Sequence, residues 1–199
     1  MRHAANIAAV AELRPNYLGF IFYDKSPRYI SEVSTELIKY VPQEIKTVGV
    51  FVDEDLETVK ALVQKHNLKA VQLHGKEEVA YCEEVKRLGV EVIKAFGIHP
   101  DFDFSVLEAY EPVVDYFLFD TQTPAHGGSG KVFDWTLLEN YQLDKPYFLS
   151  GGIDLGHAAQ IAEINDERLY AIDINSKFEL EPGLKGVDKL KEFFEKVNP

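Results

Sequence analysis

Short, nearly continuous apolar runs alternate along this chain with longer segments whose apolar residues recur every three or four positions. The first pattern fits parallel strands buried on both faces, the second amphipathic helices. Ile7, Val10 and Leu13, with Ala8 and Ala11 beside them, predict a helix over Ala4 to Leu13 that Pro15 ends. Tyr17 to Phe22 then reads as a strand, and Asp24, Ser26 and Pro27 mark the loop behind it. Predicted helices follow over Glu32 to Tyr40, Leu56 to Lys65, Glu77 to Leu88, Val106 to Tyr110, Trp135 to Glu139, Gly156 to Ala162 and Val187 to Val197. Between them lie predicted strands at Thr47 to Val52, Leu68 to Leu73, Val90 to Phe96, Tyr116 to Phe119, Tyr147 to Leu149 and Leu169 to Ile174, with a long loop from Asp120 to Val132.

Alternation with short connectors specifies parallel strands joined by right-handed crossovers, as an open doubly wound sheet or a closed barrel. The count is eight helices to seven strands, and the chain opens on a helix, so one strand is missing in front. A (β/α)₈ barrel needs about 200 residues at least, which places this chain at the lower bound. The α/β reading is therefore a (β/α)₈ TIM barrel lacking its first strand, as a single domain over residues 1–199, with no linker, repeat or low-complexity tract.

Composition narrows the function. Lys and Arg number 21 against 33 Asp and Glu, a formal charge of −12, which disfavours nucleic acid and anionic membranes as partners. A phosphate site must then come from local donors in glycine-rich loops. The lone Cys82 makes no internal disulfide, and neither a signal-peptide pattern nor a long apolar span is present, so a reducing cytoplasm is the expected home. The six histidines show no metal-ligand spacing.

In a barrel, functional groups sit in loops at the carboxyl ends of the strands. Gly151 and Gly152, between a strand and a helix starting near Asp154, resemble a phosphate cradle, although a tight turn needs the same residues; Asn175 and Ser176 add donors from the next loop. Asp120 closes the run Tyr116-Phe117-Leu118-Phe119 and suits a general acid at an aromatic mouth, or else a turn aspartate. Gly127, Gly128 and Gly130 make a loop able to fold over a ligand. Arg28 offers a planar fork for a carboxylate, or is a surface turn residue; His74 is a donor to substrate or to a backbone carbonyl. Cys82, inside a helix without an activating neighbour, reads as a buried thiol rather than a nucleophile.

These residues together resemble the phosphoribosylanthranilate isomerase family of tryptophan biosynthesis along the whole chain. The resemblance rests on Gly19-Phe20-Ile21-Phe22 with Ser26-Pro27-Arg28, Val48-Gly49-Val50-Phe51-Val52, Gln72-Leu73-His74-Gly75 and Phe119-Asp120-Thr121. It continues through Gly127-Gly128-Ser129-Gly130 with Phe133-Asp134-Trp135, Leu149-Ser150-Gly151-Gly152-Ile153 and Asp173-Ile174-Asn175-Ser176. It implies an Amadori rearrangement of a small phosphosugar without metal or organic cofactor. By matching motif, Asp120 is the acid, Arg28 holds the anthranilate carboxylate, Gly151, Gly152, Asn175 and Ser176 bind phosphate, and His74 and Asp173 line the pocket.

The family's first strand, of the type Lys-Val-Cys-Gly, carries the general-base cysteine, and this sequence starts at Met1-Arg2-His3-Ala4, just beyond it. The expectation is that the chain begins at an internal methionine of a longer protein and is impaired in turnover. Its exposed edges at Tyr17 to Phe22 and Leu169 to Ile174 would favour strand exchange or a homodimer. A non-catalytic phosphosugar-binding barrel is the alternative reading.

Overall fold

The computed structural model describes residues 1–30, 36–121 and 133–197. Seven parallel strands form one curled sheet in chain order: β1 (Tyr17–Ile21), β2 (Lys46–Phe51), β3 (Ala70–Leu73), β4 (Glu91–Ile98), β5 (Tyr116–Thr121), β6 (Tyr147–Leu149) and β7 (Leu169–Ile172). Each crossover advances one position in the same direction, whereas a doubly wound sheet reverses at a switch point, so the barrel-type arrangement is the one formed. No ladder joins β7 to β1 among the described residues.

The continuous apolar runs are explained by two layers of burial. Val48, Ala70, Ile93, Ala95, Leu118 and Phe148 pack together on the inner side of the sheet. Phe20, Phe51, Val71, Leu73, Val92, Phe117, Phe119, Tyr147 and Leu149 belong to a larger core, in which the helices bury their apolar stripes. Burying each such side chain stabilises the fold by roughly 1.5–3 kcal/mol before chain entropy is charged against it.

Among the described residues five α-helices supply those stripes: α1 (Ala4–Ala11), α2 (Leu56–His66), α3 (Val79–Lys86), α4 (Ala158–Ala162) and α5 (Val187–Val197). Ile7 and Val10, Val59 and Val63, Cys82 and Val85, Ala158 and Ile161, and Leu190 and Phe193 are their buried residues at three- and four-residue spacing. Asp55 caps α2 by accepting from Glu57 N and Thr58 N, and Asn67 ends it in the left-handed conformation at φ 49°.

Eight full helices do not form among the described residues. The segments expected over Val106 to Tyr110 and Trp135 to Glu139 are 3₁₀ turns at Phe104–Ala109 and Trp135–Asn140. The third, Glu36–Tyr40, is also 3₁₀, and the start of that expected helix lies outside the described residues. In these runs i→i+3 bonds close the turns, as from Tyr110 N to Leu107 O and from Tyr141 N to Leu138 O.

An antiparallel hairpin that the hydrophobic pattern does not predict follows β7, formed by β8 (Glu179–Glu181) and β9 (Leu184–Lys185). Pro182-Gly183 between them was the available turn signal, and Gly183 takes φ 86°. The hairpin links the chain after β7 to segments on either side of β1. Arg2 N donates to Gly183 O at 3.2 Å, and Asn6 exchanges two 2.8 Å bonds with the Lys185 backbone. No helix among the described residues is long and apolar enough to cross a membrane.

Candidate active site

The carboxyl ends of β3, β5, β6 and β7 bring the sequence-selected polar residues to one mouth. His74 follows β3, and Asp120 lies in β5 where the strand leaves its aromatic run. The Gln72 amide nitrogen donates to His74 Nδ1 at 3.0 Å, and His74 Nε2 lies 3.1 Å from Asp120 Oδ2. An amide nitrogen only donates, so Nδ1 is the acceptor and the imidazole proton sits on Nε2, directed at the carboxylate. Asp120 Oδ1 accepts from Thr121 N at 2.7 Å. Each carboxylate oxygen thus holds one donor and retains a second lone pair.

Gly151 is pressed against this aspartate. A Cβ there would fall 2.4 Å from Thr121 N and Oγ1 and 2.7 Å from Asp120 Oδ1, and the residue takes φ 95°, so only glycine fits. Gly152 follows at φ 68°. The N–H groups of both glycines have no protein acceptor among the described residues. The next helical turn is capped from within: Gly156 N donates to Asp154 Oδ1 at 2.8 Å, and Asp154 N donates to His157 Nδ1 at 3.1 Å. An anion in this loop would therefore meet the glycine amides rather than a vacant helix start.

Asp173, past the end of β7, accepts from Ser150 Oγ at 3.2 Å. Enclosure by the mouth raises its carboxyl above the ordinary range, and the charge of Asp120 adds to that, against the opposing pull of His74 and Lys185. Asn175 and Ser176 follow at the rim, where Lys185 Nζ holds Asn175 by Oδ1 at 2.6 Å and by its carbonyl at 3.0 Å. Arg28 stands in the loop after β1 with its Nε 2.7 Å from Glu179 Oε2. Gly127, Gly128 and Gly130 lie outside the described residues.

The loop carrying His74 is fixed from behind by a pair that the sequence reading missed. Lys94 lies mid-strand in β4, where its Nζ meets Glu77 Oε2 at 3.0 Å and the carbonyls of Gly75 at 2.9 Å and Ala95 at 3.2 Å. Glu77 in turn accepts from Asp53 N and from Gly75 N. A single lysine inside an apolar run was the visible signal, because a buried ammonium requires a buried partner. Cys82 is fully buried in α3, and burial pushes its thiol up to about 11.

A one-directional parallel α/β sheet with a histidine–aspartate pair and a diglycine loop at its carboxyl rim defines a barrel-type enzyme of acid–base chemistry. Residues 1–196 match the family model described as N-(5'phosphoribosyl)anthranilate (PRA) isomerase, and the chain belongs to that family. The N-(5'-phosphoribosyl)anthranilate isomerase of Parabacteroides distasonis is 42% identical over 199 residues, covering 99% of this chain and 90% of that one. The crystal structure of phosphoribosyl anthranilate isomerase from Thermotoga maritima superposes with a TM-score of 0.87 at 34% identity, covering 99% of this chain and 95% of the other. A second solved phosphoribosyl anthranilate isomerase, in complex with reduced 1-(o-carboxyphenylamino)-1-deoxyribulose 5-phosphate, superposes at 0.84 with 30% identity, covering 99% and 94%. The chain is an isomerase of tryptophan biosynthesis, carrying out the Amadori rearrangement of phosphoribosylanthranilate.

Proposed function

We propose that Asp120 is the general acid of this rearrangement. It protonates the ribose ring oxygen as the C1′–O bond breaks and the anilino nitrogen supplies its lone pair to form an iminium. A general base then removes the C2′ proton to give the enolamine, which tautomerises to the ketose. The observation that carries the assignment is the relay Gln72–His74–Asp120, which orients the carboxylate at the mouth while leaving a lone pair on each oxygen for a proton. Cys82 is not the base, since its thiol is buried and faces the core.

Arg28 holds the anthranilate carboxylate, and the amides of Gly151 and Gly152 with Asn175 and Ser176 hold the phosphate. His74 and Asp173 complete the pocket wall. The ligand is a small phosphosugar, taken up by one domain in the cytoplasm. The two edge strands of the sheet, β1 and β7, are where two copies associate or exchange strands.

The test follows the loss of phosphoribosylanthranilate fluorescence with this chain and with one preceded by Lys-Val-Cys-Gly. Turnover in either form that falls in Asp120→Asn supports the assignment. Tight binding of the reduced product without turnover in either form would favour a non-catalytic phosphosugar-binding barrel.

A further inference from the structure

The polar network between β7 and β1 contains an acid to which the mechanism gives no part. Glu179 opens β8, and its side chain is 4% exposed. Oε2 accepts from Arg28 Nε at 2.7 Å, while Oε1 accepts from Gly183 N at 3.1 Å and Lys185 Nζ at 3.2 Å. Burial pushes this carboxyl up, but Lys185 and Arg28 outweigh it and hold it below the ordinary range, so it is ionised at neutral pH.

A guanidinium presents its donors in one plane, so a carboxylate on the Nε edge fixes that plane and leaves the terminal nitrogens for another acceptor. Among the described residues, no acceptor contacts those terminal nitrogens of Arg28. Lys185, which steadies Glu179 from its other oxygen, also holds Asn175 by two bonds. The loop after β1 and the loop after β7 therefore share one buried anchor.

We infer that Glu179 is a positioning residue: it fixes the Arg28 guanidinium by its Nε edge so that the terminal nitrogens meet the aromatic carboxylate of the substrate. This rests on the assignment of Arg28 made above. A competing arrangement, in which Glu179 merely neutralises Arg28, makes the opposite prediction, because removing Glu179 would then strengthen carboxylate binding.

The experiment titrates two ligands calorimetrically, reduced 1-(o-carboxyphenylamino)-1-deoxyribulose 5-phosphate and its phenylamino counterpart lacking the ring carboxylate. The proteins are the unmodified chain, Arg28→Ala, Glu179→Ala, Glu179→Gln and the double variant Arg28→Ala with Glu179→Ala. The unmodified chain prefers the carboxylated ligand by about 10- to 100-fold, the scale of one charge-assisted hydrogen-bonded contact. Glu179→Ala loses most of that preference, and the double variant loses no more than Arg28→Ala alone. Glu179→Gln, which keeps the side-chain volume should the alanine variant fail to fold, loses at least about threefold, because its NH2 group must oppose either Arg28 Nε or the Lys185 and Gly183 donors, and the neutral amide holds the guanidinium less firmly than the carboxylate does. Equal weakening of both ligands, or tighter carboxylate binding, overturns the inference. Absence of any preference in the unmodified chain overturns the Arg28 assignment itself, and the inference with it.

Discussion

Lys94 and Glu77 form an ion pair 3.0 Å long in which both side chains are 2% exposed. Charges so placed are held by their hydrogen bonds as much as by each other, and here the bonds run to the two loops after β2 and β3. Lys94→Met leaves Glu77 buried without its counter-charge. The expected loss is about 3–5 kcal/mol by urea unfolding, and the double variant Lys94→Met with Glu77→Gln recovers part of it. A loss below ~1 kcal/mol would show that the pair does not anchor these loops.

Cys82 provides a direct check on where the reaction's base is not. With its thiol pushed up to about 11 and no exposed surface, it should resist iodoacetamide at pH 8 in the folded protein and react once urea unfolds the chain. Cys82→Ala should leave turnover unchanged while costing about 1 kcal/mol of stability. Rapid alkylation of the native protein, or lost turnover in Cys82→Ala at unchanged stability, would contradict this.

Asp173 gives stability a defined pH dependence. Its folded pKa is raised above the ordinary 3.8 by burial and by the Asp120 charge, so its contribution is complete below that value and is lost as pH rises through the folded pKa. Asp173→Asn removes the penalty while keeping an acceptor for Ser150. At pH 7 its melting temperature should exceed the parent's by about 2–4 °C, and the gap should close as pH falls toward ~4. A variant less stable at pH 7 would mean that the ionised carboxylate is favoured in the fold.

The order and type of the strands were readable because each is a short apolar run bounded by turn residues; Tyr116–Thr121 buries Phe117, Leu118 and Phe119 on both faces, whereas Tyr17–Ile21 buries only Leu18 and Phe20. What set the open sheet apart from the barrel-type one was the order in which successive strands pair, a long-range property that no local pattern carries. Residues of the mouth were legible by their place at the carboxyl ends of strands, Asp120 near the end of β5 and Gly151 just past β6. Their supporting partners were not: Lys94 and Glu77 lie 17 positions apart, and Arg28 and Glu179 are 151 apart. Such pairs become visible only once the fold closes the distance.

The role proposed for Asp120 is to deliver the proton that opens the ribose ring. It is tested most directly by single-turnover decay of phosphoribosylanthranilate fluorescence in Asp120→Asn, using the more active of the chain and its Lys-Val-Cys-Gly extension. The expected rate is lowered by about 10²- to 10⁴-fold, with affinity for the reduced product kept within about threefold. An unchanged rate would contradict that role.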